Sequence, residues 1–140
     1  MILVDTGPLI ALFDPADGDH AWCLNRLKII DEPIATTTPV LTDAFHLLGP
    51  ASIGSRRLME FIGARGLEIR FLDDADLARA FELMVRYADH PMDLADASLV
   101  ALAERYRLRK IFTLDQGDFR TYRIRQGQRH LNFEILSDAD

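Results

Sequence analysis

Lys110-Ile111-Phe112-Thr113-Leu114-Asp115-Gln116-Gly117-Asp118 decides how the fold is read: a short run rich in β-branched and aromatic residues that stops on a carboxylate. The chain begins the same way, with Ile2-Leu3-Val4 running directly into Asp5. Such brief, unbroken apolar runs are what strands buried on both faces of a parallel sheet look like. Three more runs read as strands: Ile34 to Thr37, Glu68 to Leu72 and Asn132 to Leu136.

Helical patterns fill the intervals. Leu77, Ala80, Phe81, Met84 and Val85 recur at the spacing of an amphipathic helix and are expected on its inward face. Thr38 and Pro39 predict an N-cap and first helical residue ahead of Ala44, Phe45 and Leu48. Leu58, Phe61 and Ile62 predict a helix within Ser52 to Arg65, closed by Gly66. Further helices are expected from near Asp93 to Tyr106, and over His20 to Ile30 with Asp19 as the cap. Strands alternating with helices give an α/β protein whose mainly parallel sheet is covered on both faces. In such sheets ligands bind beyond the carboxyl ends of the strands, near a reversal of strand order. The residues that follow each strand are therefore the ones to inspect.

Composition narrows the class. At 140 residues, 49% hydrophobic and 27% charged, the chain reads as one ordinary folded domain spanning 1–140. The longest stretch free of Asp, Glu, Lys and Arg runs from Ala44 to Ser55, well short of the ~20 apolar residues of a membrane span. The N-terminus has no basic region and meets Asp5 at once, and Cys23 is the only cysteine. A reduced, cytoplasmic setting without membrane attachment is expected. Net charge is −6, but the segment from Glu104 to His130 holds eight basic residues against three acids. An acidic body with an arginine-rich end is compatible with an anionic substrate.

Carboxylates gather where the strands end. Asp5 follows the first strand, Asp115 and Asp118 follow the fourth, and Asp43 lies about one turn into the helix that leaves the second. Asp93 and Asp96 open the helix before the fourth strand, on one face. Each has a plain structural reading: Asp5 and Asp93 as helix caps, Asp96 as the capping-box partner of Asp93, Asp115 as a turn residue and Asp43 as a solvated helix carboxylate. Together they suggest convergence. Two carboxylates ~5 Å apart repel by roughly 3 kcal/mol at an effective dielectric near 20, so a cluster must take up protons or a cation. Oxygen-only ligands favour magnesium or manganese over zinc. His20, His46, His90 and His130 are scattered and are expected to be surface or structural residues. An all-carboxylate magnesium site suits phosphodiester hydrolysis, with Thr6 and Thr113 placed to support it.

Three blocks carry a family resemblance: Met1-Ile2-Leu3-Val4-Asp5-Thr6-Gly7-Pro8-Leu9-Ile10-Ala11-Leu12, Asp93-Leu94-Ala95-Asp96-Ala97-Ser98-Leu99-Val100, and Phe112-Thr113-Leu114-Asp115-Gln116-Gly117-Asp118-Phe119. In order and separation they resemble the signature blocks of PIN-domain proteins, and a single small domain of this kind is similar to the VapC toxins of bacterial toxin–antitoxin systems. The resemblance implies a three-layer α/β/α sandwich and a magnesium-dependent endoribonuclease in which manganese substitutes. It also implies a VapB-like antitoxin and a homodimer. Asp5, Asp96 and Asp115 match the metal-site acids, Asp5 and Asp96 being the principal ligands, and Asp118 matches a further acid. Asp43 stands where the family usually carries Glu, one methylene shorter. The expected chemistry is attack of metal-activated water on RNA, with Asp43 and Asp115 completing the site. Arg109, Arg120 and Arg123 from the basic segment are candidates for holding the RNA backbone.

Other readings fit less well. Asp5-Thr6-Gly7 spells an aspartic-protease triplet, yet helical patterns follow it where that enzyme needs an all-β body. A haloacid-dehalogenase phosphatase wants an acid where this chain has Gly7. The remaining alternative is a non-catalytic PIN-like module that binds RNA or protein. Trp22, Phe45, Leu48 and Phe61 are expected to pack in the core rather than on a partner surface.

Overall fold

Strand β1 (Ile2–Val4) is buried along its whole length and lies at the centre of the sheet. In the computed structural model, residues 1–136 are described, and their main sheet runs β3-β2-β1-β4-β7 with every pairing parallel. The other members are β2 (Ile34–Thr37), β3 (Glu68–Arg70), β4 (Lys110–Phe112) and β7 (Glu134–Ile135). Leu3 is in register with Ala35 on one side and Ile111 on the other.

Seven helices flank the sheet among the described residues: α1 (Thr6–Phe13), α2 (His20–Ile29), α3 (Thr38–Leu48), α4 (Ile53–Gly63), α5 (Asp74–Arg86), α6 (Leu94–Tyr106) and α7 (Gln116–Thr121). Helix α1 packs against α2, α3 and α4, while α5 packs against α6. This is the α/β sandwich with a mainly parallel sheet that the alternating pattern predicts. From β1 the chain steps outward through β2 to β3, then crosses back to place β4 on the other side of β1. The order reverses between β1 and β4, so the crevice beyond their carboxyl ends is the natural ligand position.

Several local expectations need correction. Thr37, not Thr38, caps α3, its side chain accepting from the Val40 N–H, and Pro39 falls within the first turn. Asp19 precedes α2 but makes no side-chain cap bond. Helix α4 ends at Gly63 with Ala64 as C-cap, three residues before Gly66. On α5 the buried residues are Asp76, Ala80 and Leu83, leaving Phe81 53% and Val85 78% exposed. The helix is rotated because Asp76 turns inward to bond Arg105 of α6 at 2.5 Å, and an acid on the packed face is invisible to a hydrophobic count.

The C-terminal part also differs. Strands β5 (Arg123–Gln126) and β6 (Arg129–Asn132) form a separate antiparallel hairpin, and only Glu134–Ile135 joins the main sheet. Gly127 supplies the positive φ, 62°, at the first position of its two-residue loop. Trp22, Phe45, Leu48 and Phe61 are half-buried and pack on the core, as expected. Cys23 is buried, its thiol pushed up to about 12 by burial and the nearby Asp19 and Asp17. Among the described residues no helix is long and apolar enough to cross a membrane.

Candidate active site

Asp5 leaves β1 at the reversal of strand order, its N–H donating to the Phe112 carbonyl of β4 at 2.9 Å. It caps α1, so both carboxylate oxygens are held. The Thr6 N–H donates to Oδ1 at 2.8 Å, and the Thr113 hydroxyl donates to Oδ2 at 2.8 Å. Thr113 is fully buried, and its Oγ1 also accepts from the Asp115 N–H at 2.9 Å. One threonine thus ties the ends of two strands together. Asp5 is itself 7% exposed. Burial raises its pKa; the bonds from Thr113 and Thr6 oppose that rise, and the charges of Asp93 and Asp118 add to it.

At the start of α6, Asp93 is the cap, accepting from the Asp96 N–H at 2.8 Å. Asp96, in the first turn, does not return the bond that would close a capping box. Its Oδ2 instead accepts the Tyr122 hydroxyl at 3.1 Å. Burial first, then the charges of Asp93 and Asp5, push Asp96 up to about 7, against the pull of Tyr122. The cap reading therefore belongs to Asp93, while Asp96 faces other acids.

Asp115 caps α7, its Oδ1 accepting from the Asp118 N–H at 3.3 Å. The two carboxyls also share a hydrogen bond that pushes Asp115 up to about 6 and holds Asp118 below the usual carboxylate range. His90 Nε2 lies 2.5 Å from Asp118 Oδ1 and lowers it further. The histidine that looked isolated in sequence is thus at the site's edge. Asp43, half-buried on α3, makes no side-chain hydrogen bond among the described residues.

Asp5, Asp43, Asp93, Asp96, Asp115 and Asp118 line one cleft of about 550 Å³, with Thr6, Gly7, Leu47, Pro91, Ala95 and Leu114 between them. No Lys, Arg or His among the described residues lines it. Among the described residues no three acids are drawn around one point as a metal cage; Asp5, Asp93, Asp96, Asp115 and Asp118 are each turned onto bonds of their own. The donor set nevertheless fits a hard divalent cation. It is all oxygen and crowded: burial, then the neighbouring carboxylates, push Asp96 up to about 7, and the bond with Asp118, then burial, push Asp115 up to about 6.

The basic candidates lie elsewhere. Arg109 Nε donates to the Asn132 carbonyl at 2.9 Å. Arg123 bonds the carbonyls of Arg120, Thr121 and Tyr122 and so ties down the end of α7. Exposed Arg120 donates to Gln116 at 2.9 Å. Two of the three thus spend guanidinium donors on backbone. The residues that sequence reading missed are Tyr122 and His90. The available signals were a tyrosine four residues after Asp118 and a histidine three before Asp93.

Residues 2–124 match the family described as PIN domain. Ribonuclease VapC26 of Mycobacterium tuberculosis (strain ATCC 25618 / H37Rv) is 28% identical over 125 residues, covering 87% of this chain and 92% of that protein. Among solved structures, the fold is similar to that of VapC20 from Mycobacterium tuberculosis, a sarcin-ricin loop cleaving toxin, with a TM-score of 0.69 at 19% identity over 79% of this chain and 87% of that one. It is similar also to a chain of a toxin–antitoxin complex from Klebsiella pneumoniae, with a TM-score of 0.67 at 20% identity over 86% and 92%.

Proposed function

The chain belongs to the PIN-domain family, and from that premise we propose that residues 1–140 act as a single unit, a divalent-metal-dependent endoribonuclease serving as the toxin of a toxin–antitoxin pair in the cytoplasm. The observation that carries this reading is the cleft itself: six aspartates from four parts of the chain, at the reversal of strand order, with no cationic side chain among its described lining residues. The names of the relatives, a ribonuclease and toxins, agree with it.

Asp5, Asp96 and Asp115 would hold the cation, magnesium or manganese, with Asp43 completing the set. When bound, such an ion neutralises phosphate charge and makes water more acidic. The residues do the rest. Thr6 and Thr113 fix both oxygens of Asp5 before any ligand arrives, so little ordering is left to do on binding. Asp93 spends its carboxylate on the α6 N-terminus and so keeps Asp96 free for the cleft. Asp115 is pushed up to about 6 in the metal-free chain by its bond with Asp118 and by burial. One proton of the attacking water would pass to an unprotonated carboxylate of the cleft as the water oxygen bonds phosphorus, while the P–O bond to the ribose oxygen breaks and that oxygen takes a proton from solvent. Asp118, itself bonded to His90, holds Asp115 in place.

RNA is the proposed substrate, and a VapB-like antitoxin and a second copy of the chain are the proposed partners. The second reading, a non-catalytic PIN-like binding module, rests on Asp43, whose short carboxylate makes no bond in the cleft. One experiment separates the two: purified protein is incubated with a panel of structured RNAs and magnesium or manganese, with EDTA and Asp96→Asn alongside. Cleavage that needs the ion and is lost in the folded variant is the expected result. RNA binding without cleavage would favour the module.

A further inference from the structure

Tyr122 is fully buried at the junction of α7 and β5, and its hydroxyl meets Asp96, one of the acids lining the cleft, from behind. We propose that it is a positioning residue: by donating to Asp96 Oδ2, the Tyr122 hydroxyl aims that carboxylate for a divalent cation. The inference rests on the metal-site reading above.

Three observations support it. The ring cannot swing, being met edge-on by Tyr87, His90 and Phe119 at centroid distances of 5.1, 5.8 and 5.3 Å. The backbone cannot shift easily either. The N–H of Arg123 donates to the Tyr87 hydroxyl at 3.0 Å, and the Arg123 guanidinium bonds the carbonyls of residues 120, 121 and 122. A buried phenol needs a hydrogen-bond partner, and this one meets Asp96, which lies 26 residues back in the chain, at 3.1 Å. The bond takes Oδ2 and leaves Oδ1 available. The same packing carries His90, whose ring bonds Asp118 at 2.5 Å. One aromatic group of side chains therefore presents donors to two acids of the cleft. A locked donor behind a carboxylate is the usual means of holding a ligand in a single rotamer, and losing such a partner typically costs 10–100-fold in metal affinity.

Tyr122→Phe keeps the ring and removes one oxygen. Manganese is titrated into wild type, Tyr122→Phe and Asp96→Asn without RNA, by calorimetry or water-proton relaxation, and the metal-free proteins are melted separately. The expected result is a loss of about 10–100-fold in manganese affinity for Tyr122→Phe, with metal-free melting close to wild type and no further loss when it is added to Asp96→Asn. Tyr87→Phe is the reference, because it loosens the same packing yet leaves the bond to Asp96. Equal weakening in the two tyrosine variants would make the role structural and overturn the proposal. So would Tyr122→Phe affinity within about twofold of wild type while Asp96→Asn fails to bind. Equal binding by wild type and Asp96→Asn would instead overturn the metal-site reading, and the proposal with it.

Discussion

Helices α5 and α6 begin with the same pattern, Asp73-Asp74-Ala75-Asp76 and Asp93-Leu94-Ala95-Asp96, and finish it in opposite ways. At α5 the box closes: Asp73 accepts from the Asp76 N–H at 2.8 Å, and Asp76 returns a bond to the Asp73 N–H at 3.0 Å. Arg105 then reaches Asp76 at 2.5 Å and Asp73 at 3.3 Å. The Asp76 N–H, with Arg105 nearby, keeps Asp73 below the usual carboxylate range. At α6 the cap forms but the box stays open, no arginine of the described residues bonds Asp96, and burial, with the charges of Asp93 and Asp5 added to it, lifts Asp96 to about 7. The lesson is that a local motif sets where a helix starts, while what packs beside it decides between stability and chemistry.

The largest effect expected is on the open side. Asp96→Asn should abolish metal-dependent RNA cleavage, a loss beyond the ~10–100-fold that removal of an outer partner costs. Metal-free melting should hold or rise, because one of several mutually repelling carboxylates is gone. On the closed side, Asp76→Asn should lower folding stability, because it weakens the part-buried charge-assisted bond to Arg105, and leave cleavage at wild-type level. Chemical denaturation and an RNA-cleavage assay on both variants test the contrast. Similar losses of activity in the two would erase the distinction.

The pH dependence sharpens the same contrast. Asp5, Asp96 and Asp115 are all raised above 3.8 in the folded chain. Between about pH 4 and 7 the native state therefore binds more protons than the unfolded one, and stability falls as pH rises. Asp73 and Asp118 are lowered; their contribution is present above their unfolded pKa and is lost in stronger acid. The metal-free protein should melt at a higher temperature near pH 5 than near pH 8, by a few degrees. Saturating magnesium should reverse that slope, because the cation competes with protons for the same oxygens. Calorimetric melts across pH, with and without the ion, read this out.

Legibility in the sequence followed the range of the interactions. The β1 and β4 runs were readable because burial on both faces writes itself as continuous apolar residues, and the carboxylates after them follow from chain order. The β5–β6 hairpin was hidden by Arg123, Arg125 and Arg129, which mask the alternation of Ile124 and Leu131 toward the core. Phe81 and Val85 misled for a different reason: helical period alone cannot say which of two overlapping stripes faces inward, and Asp76 with Arg105 decided it. Strand topology led to the expectation that four acids from distant parts of the chain converge at one edge of the sheet; six aspartates line the cleft there. Tyr122 and His90 were not, because each acts through a contact across 26 or 28 residues of chain that no local pattern announces.

The smallest expected effect concerns Asp43, the one cleft acid with neither a cap to make nor a bonded partner among the described residues. Its helix position is set by α3, and its carboxylate is one methylene short of the residue that the family resemblance leads one to expect. Extending it should bring a further oxygen toward Asp5 and Asp96 without disturbing either, since Asp5 is held by Thr6 and Thr113 and Asp96 by Tyr122. Bringing that charge closer to an already repelling cluster should slightly destabilise the metal-free protein while strengthening cation binding. Asp43→Glu is therefore expected to raise manganese affinity and cleavage by a few-fold, and to lower metal-free melting by a degree or two at most. Unchanged affinity, measured by titration beside Asp96→Asn, would place Asp43 outside the metal-binding set and leave Asp5, Asp96 and Asp115 as its members.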